Sequence, residues 1–158
     1  MGYPEAMALA DDLIETWQIN GRLNLFLLEG IDNAGWEAKV EKSKTACAHF
    51  QHIHNVRLMW LKAAAPQLME GLEKLEGSTS RERAGSALDS SDKAVAELIR
   101  IGLEDGRIKG FKPHPAAFVG YLLAHESFHR SQAELVLRQS GYPISDKVAY
   151  GLWEWGVR

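Results

Sequence analysis

Residues 121–138 read YLLAHESFHRSQAELVLR. The stretch has no proline and no glycine, and its apolar residues recur at helical spacing. At its centre stand His125 and His129, four apart. On a helix that spacing puts both imidazoles on one face, a turn apart. At about 100° per residue from Phe118, the residues Leu122, His125, His129, Gln132 and Val136 fall within about 40° of one line. The two histidines therefore lie on the stripe expected to face the core. One outcome of such a pattern is a pair of buried histidines satisfied by hydrogen bonds. The other is a chelating pair on one helix face, a standard way to hold zinc or nickel. A metal site would need a third ligand from elsewhere in the chain.

Outward from this stretch the chain reads as helices. The helix containing it is predicted to start around Pro113 to Pro115 and to run to about Ser140, where Gly141 and Pro143 stop it. A first helix is predicted from about Pro4 to Leu28, with Leu13, Ile14, Trp17, Gly21, Leu27 and Leu28 on its inward stripe. Asn20 and Asn24 fall on or beside that stripe, where they either bond to neighbouring helices or approach a polar pocket. After a connector with a turn at Asp32-Asn33-Ala34-Gly35, a second helix is predicted. It is capped by Ser43 or Thr45, ends near Ala64 before Pro66, and is followed by a short extra turn over Gln67 to Leu75. Gly77 to Ser91, polar and rich in Ser, Gly and Arg, reads as a loop. The third helix is predicted from about Ser91 to Leu103, with Gly106 as its stop. No period-two strand pattern and no repeat occurs. These features predict an all-α four-helix bundle in a single domain over residues 1–158. The long loop leaves room for a crossover connection, and the tail GLWEWGVR is expected to dock on the bundle.

Composition narrows the function classes. The 158 residues suffice for one sizeable core, and 46% apolar with 25% charged residues is ordinary for a globular chain. A net charge of -3 with dispersed basic residues argues against a nucleic-acid partner. The N-terminal MGYPEAMALADDLIE lacks the basic start of a signal peptide, and no apolar run reaches the ~18 residues of a membrane span. Cys47 is the one cysteine, so an intrachain disulfide or a CxxC site is excluded, and it reads as a small apolar filler. A cytoplasmic, reducing setting is expected.

Three further histidines, His49, His52 and His54, lie in the second helix, while His114 sits in a proline-flanked loop and reads as solvated. The apolar line of that helix runs through Ala46, Phe50, Ile53, Trp60 and Ala64. His49 stands about 60° from it, His54 about 80° and His52 about 120°. Phase alone therefore favours His49 as the third ligand. In the fourth helix Glu126 lies about 100° from its neighbour His125, and reads as a solvated or interface carboxylate rather than a general base. No residue has a strong claim to a catalytic role.

Two segments resemble the DinB/YfiT-like family of metal-binding four-helix bundles. HExxHRxQ is carried by His125, Glu126, His129, Arg130 and Gln132, and TxxxxxxHIxNxR by Thr45, His52, Ile53, Asn55 and Arg57. The Trp-rich tail is similar to the end of some members. In that pattern the first ligand follows the Ser/Thr by seven residues and precedes an arginine by five. The resemblance therefore implies His52, with His125 and His129, as metal ligands, and keeps His49 as the fallback for His52. Phe128 and Ser131 depart from residues common in the family and would reshape the pocket wall.

The resemblance implies a divalent transition metal, zinc or nickel, with at least one open coordination position. Gln132, Asn24 and Asn20 are the candidates to orient the ligand rings. It further implies an enzyme that activates a small thiol, as a thiol-S-transferase would, or water, as a hydrolase would. The alternative is a non-catalytic metal-binding stress or structural protein. A homodimer is expected from the family, and Leu58, Met59 and Leu61 spread beyond one core stripe, as an extra buried face would require. In a monomer the Gln67 to Leu75 turn or the tail would cover that face.

Overall fold

A computed structural model describes residues 3–158, and the helices account for most of them. α1 spans Tyr3–Glu29, α2 Ala46–Ala64, α3 Arg81–Asp105, α4 Pro115–Gln139 and α5 Asp146–Gly151. Short 3-10 turns occur at Asn33–Gly35 and Pro66–Met69, and no strand is present among the described residues. Local chemistry sets the helix ends. The Thr45 hydroxyl accepts the Ala48 N–H at 3.0 Å and starts α2. His114 starts α4, its Nδ1 accepting the Ala117 N–H, with Pro115 in the first turn. Gly106, at φ 73°, takes the left-handed conformation that closes α3.

The start of α3 differs from the sequence reading. Residues 81–91 are helical rather than looped, because the Ser80 hydroxyl accepts the Arg83 N–H at 3.1 Å and caps a helix there. Ala84, Leu88, Ser91 and Val95 then continue one buried stripe at helical spacing. Arg81 also donates to the Ile31 carbonyl and fastens the start of α3 to the end of α1.

Two apolar clusters fill the bundle, one at each end. The first includes Leu27, Phe50, Ile53, Leu88, Val136 and Leu137, and the second includes Trp17, Leu61, Val95, Ile99, Phe118 and Leu122. Along α1 and α4 the chain passes from the second cluster to the first, whereas along α2 and α3 it passes from the first to the second. The order is therefore up, down, down, up. α2 packs on both α3 and α4, and α1 packs mainly on α3. Because α2 and α3 run parallel, residues 65–80 must carry the chain back along the bundle. This is the crossover, and it overlaps the Gly77 to Ser91 loop that was expected to hold it only at residues 77–80. Asn55 pins it to α2, donating to the Leu75 carbonyl and accepting the Leu75 N–H, both at 2.9 Å.

The tail docks, but not through its tryptophans. Val148 lies against Gly30, Gly151 against the Phe26 ring, and the Arg158 guanidinium sits 3.7 Å over that ring. Trp153 points outward, 82% exposed. Leu58 and Leu61 are buried within the chain, and Leu68, Met69 and Leu72 pack on the cluster that contains Leu61. Of the three residues read as an extra face, Met59 alone is exposed.

The start of α3 can be tested at its cap. Replacing Ser80 with Ala should cost about 1 kcal/mol of stability in urea unfolding. An unchanged midpoint would place the helix start elsewhere.

Candidate metal centre

Between the two apolar clusters lies a polar layer to which all four long helices contribute. Its centre is Arg57 of α2 against Glu126 of α4, both fully buried. Arg57 Nε donates to Glu126 Oε1 at 2.7 Å, and Nη2 donates to Oε2 at 2.9 Å. Its remaining Nη1 reaches the Leu88 carbonyl and the Ser91 hydroxyl of α3. From α1, Asn20 and Asn24 each donate to Glu126 Oε2 at 2.7 Å, and their carbonyls accept from Arg130 at 2.8 and 2.7 Å. Burial would raise the Glu126 pKa, but the charge and bonds of Arg57 and the two carboxamides reverse that and hold it below the ordinary value. Asp92 of α3, 3.7 Å from Arg57, is pushed up to about 7 by its burial, against the pull of Arg57.

This layer corrects the sequence reading of Glu126. The carboxylate is neither solvated nor at an interface. The buried residues of α4 include Leu122, Glu126, His129, Ala133 and Val136, so the inward stripe passes through Glu126 and His125 sits at its edge. Asn20 and Asn24, proposed to orient the ligand rings, spend their polar atoms on Glu126 and Arg130. Gln132 is half-buried beside His129 and has no hydrogen bond among the described residues.

The histidines meet on the seam between α2 and α4. His52, His125 and His129 each bring one ring nitrogen within 4.8 Å of the other two. Ring centroids are 5.2 Å apart for His52 and His125, 4.5 Å for His52 and His129, and 4.7 Å for His125 and His129. His125 Nε2 stands 3.3 Å from His52 Nε2. Two nitrogens bound tetrahedrally to one zinc would stand about 3.3 Å apart, given Zn–N bonds of about 2.0–2.1 Å. The donor set therefore fits a metal ion. The other ring nitrogen of His125, Nδ1, is buried with no partner, so no hydrogen bond fixes the tautomer of that ring.

His49, favoured by phase, lies one step behind this trio. Its Nδ1 is 3.0 Å from His129 Nδ1, so one ring donates to the other. That contact occupies the δ nitrogen of His129 and leaves its ε nitrogen free. His54 is committed elsewhere, to the Ser91 hydroxyl and the Glu73 carbonyl.

The rings are held neutral, as ligation requires. Burial lowers the pKa values of His52 and His125, with Lys44 adding to the effect at His52 and His52 itself adding to it at His125. His129 is pushed down to about 4 by burial and then by the neighbouring His125, His52 and His49.

Breaking the polar layer should be costly and non-additive. Glu126→Ala and Arg57→Ala should each destabilise by about 3–5 kcal/mol, because each leaves a buried charge unpaired. The double variant should lose far less than the sum in a denaturation cycle. Additive losses would mean that the two side chains act independently.

A model of the DinB family matches residues 6–152. No curated protein and no solved structure matches the chain. The family match spans nearly the whole sequence, and the chain belongs to the DinB family.

Proposed function

We propose that this protein binds a divalent transition metal, zinc or nickel, through His52, His125 and His129, and that it is an enzyme in which the metal activates a small thiol or water. The observation that carries this reading is the convergence of three neutral imidazoles without a carboxylate or thiolate among them. Three protein ligands leave a coordination position for water or substrate, as in catalytic zinc sites. Such an ion lowers the pKa of a water or thiol that it binds. An uncharged donor set leaves the positive charge of the ion uncompensated, which favours an anionic fourth ligand. Imidazole suits zinc and nickel alike.

The rest of the chain supports a reactive centre more than a structural clamp. α2 and α4 are already joined at their middle by Arg57 and Glu126, so a metal is not needed to pin them together. Glu126 is a poor base, since both its oxygens accept from donors that stabilise the ionised form. His49 orients His129 through the Nδ1 contact, the role that outer partners of metal-bound histidines perform. The Met59, Tyr121 and Phe128 side chains are exposed on the outer faces of α2 and α4, with Tyr121 stacked against His125 and Phe128 edge-on to His129.

Protein purified without nickel affinity should carry close to one equivalent of metal, and His125→Ala should lose it. With a panel of thiols and electrophiles, the loaded protein should turn over at least one pair faster than His125→Ala. Less than about a tenth of an equivalent, after loading with zinc or nickel, would remove the site. A well-loaded protein with no activity above the variant would leave only the non-catalytic reading.

Metal affinity should also follow the lowered histidine pKa values. Because the folded rings stay neutral below the usual pKa of about 6.5, protons should compete with metal only at lower pH. Competition titrations should give a flat affinity from pH 8 to about 6.5 and a fall further down. A fall centred at or above about 6.5 would show that the rings titrate as solvated histidines.

A further inference from the structure

A cavity of about 290 Å³ opens between the start of α2 and the C-terminal half of α4, against His129 of the trio and its partner His49, while His52 and His125 do not line it. Lys44, His49, Phe128, His129, Gln132 and Val136 are among its walls. Larger clefts of about 460 and 470 Å³ lie on other faces of the bundle, but no histidine lines either of them. The chemistry of the smaller cavity is lopsided. No carboxylate lines it, and Lys44 has no ion-pair partner among the described residues. The ammonium is near enough for its field to reach His49, His52 and His129.

The backbone that carries Lys44 is held in place. Thr45, its neighbour, caps α2, and Ser43 bonds to Val40 twice, with Val40 N–H donating to the hydroxyl and Ser43 N–H to the carbonyl. Opposite it, the carboxamides of Gln132 and Gln139 make no hydrogen bond among the described residues and remain free to donate. Phe128, Leu135 and Val136 supply an apolar wall. A single cation, neutral donors and an apolar wall fit one carboxylate on an apolar body. A phosphate, with up to two negative charges, would be only partly compensated by the single cation in this wall.

We propose that this cavity is the substrate pocket, that it takes a small carboxylate with an apolar segment, and that Lys44 is the residue that selects for the negative charge. The assignment of the pocket to substrate rests on the reading of the trio as a reactive centre. Binding of the carboxylate at Lys44 does not.

The test uses the full chain without metal and the probe pair 4-phenylbutyrate and 4-phenylbutanol, followed by amide chemical shifts in NMR. Both probes should perturb residues 43–49 and 128–139, with the carboxylate bound about fivefold more tightly at low salt, as expected of an exposed charge pair. Lys44→Gln should abolish that preference and leave the affinity for the alcohol unchanged. Lys44 is exposed, so this variant should fold as the parent does. Equal affinities in the parent, a preference that survives Lys44→Gln, shifts centred elsewhere, or no shifts at all would overturn the proposal. A chain that shows the preference but takes up no metal would lose the proposed function and keep the anion site. A chain that takes up metal but shows no preference would do the reverse.

Discussion

The buried pair between Arg57 and Glu126 sets the constraint that the other helices satisfy. Two charges taken out of water cost several kcal/mol each, and geometry must recover that cost. Here the guanidinium meets the carboxylate along two bonds and gives its remaining donors to α3, while two asparagines of α1 complete the carboxylate. Such a layer contributes less to net stability than an apolar core of the same size would. It does restrict register, because sliding any one helix by a turn would strand a charge. The apolar clusters above and below it supply most of the burial.

The same layer explains the spacing of the motif in α4. HExxHR consists of two interleaved i, i+4 pairs. Glu126 and Arg130 turn toward α1 and α2 and join the polar layer, and His125 and His129 turn toward the seam with α2. One helix segment thus anchors the bundle with one pair and presents ring nitrogens with the other. On α2 the division is similar, since Arg57 faces the layer, His52 the seam, and Asn55 the returning crossover. Rings placed next to rigidly held residues have little freedom, as a preformed site requires.

Much of this was legible in the sequence because it depends on short-range rules. Caps, prolines and glycines located three of the four long helices closely, whereas His52 was selected by the family resemblance, against a helical phase that favoured His49. The start of α3 was missed because Ser, Gly and Arg over 81–91 resemble a loop, although Ser80 caps it and Ala84, Leu88 and Ser91 keep helical spacing. Glu126 was placed outside because it lies about 100° from His125, which was taken as part of the inward line. Its partners lie 69 to 106 positions away in the chain, a separation that helical periodicity cannot connect. The inward phase of Asn20 and Asn24 was the available signal that a polar layer existed.

The most direct measurement of the proposed centre is X-ray absorption spectroscopy on zinc-loaded protein. Three imidazole nitrogens and one oxygen from water, at about 2.0–2.1 Å, are predicted. A fourth imidazole would bring His49 into the shell and close the site, and a sulfur ligand would implicate Cys47. Either result would contradict an open three-histidine centre.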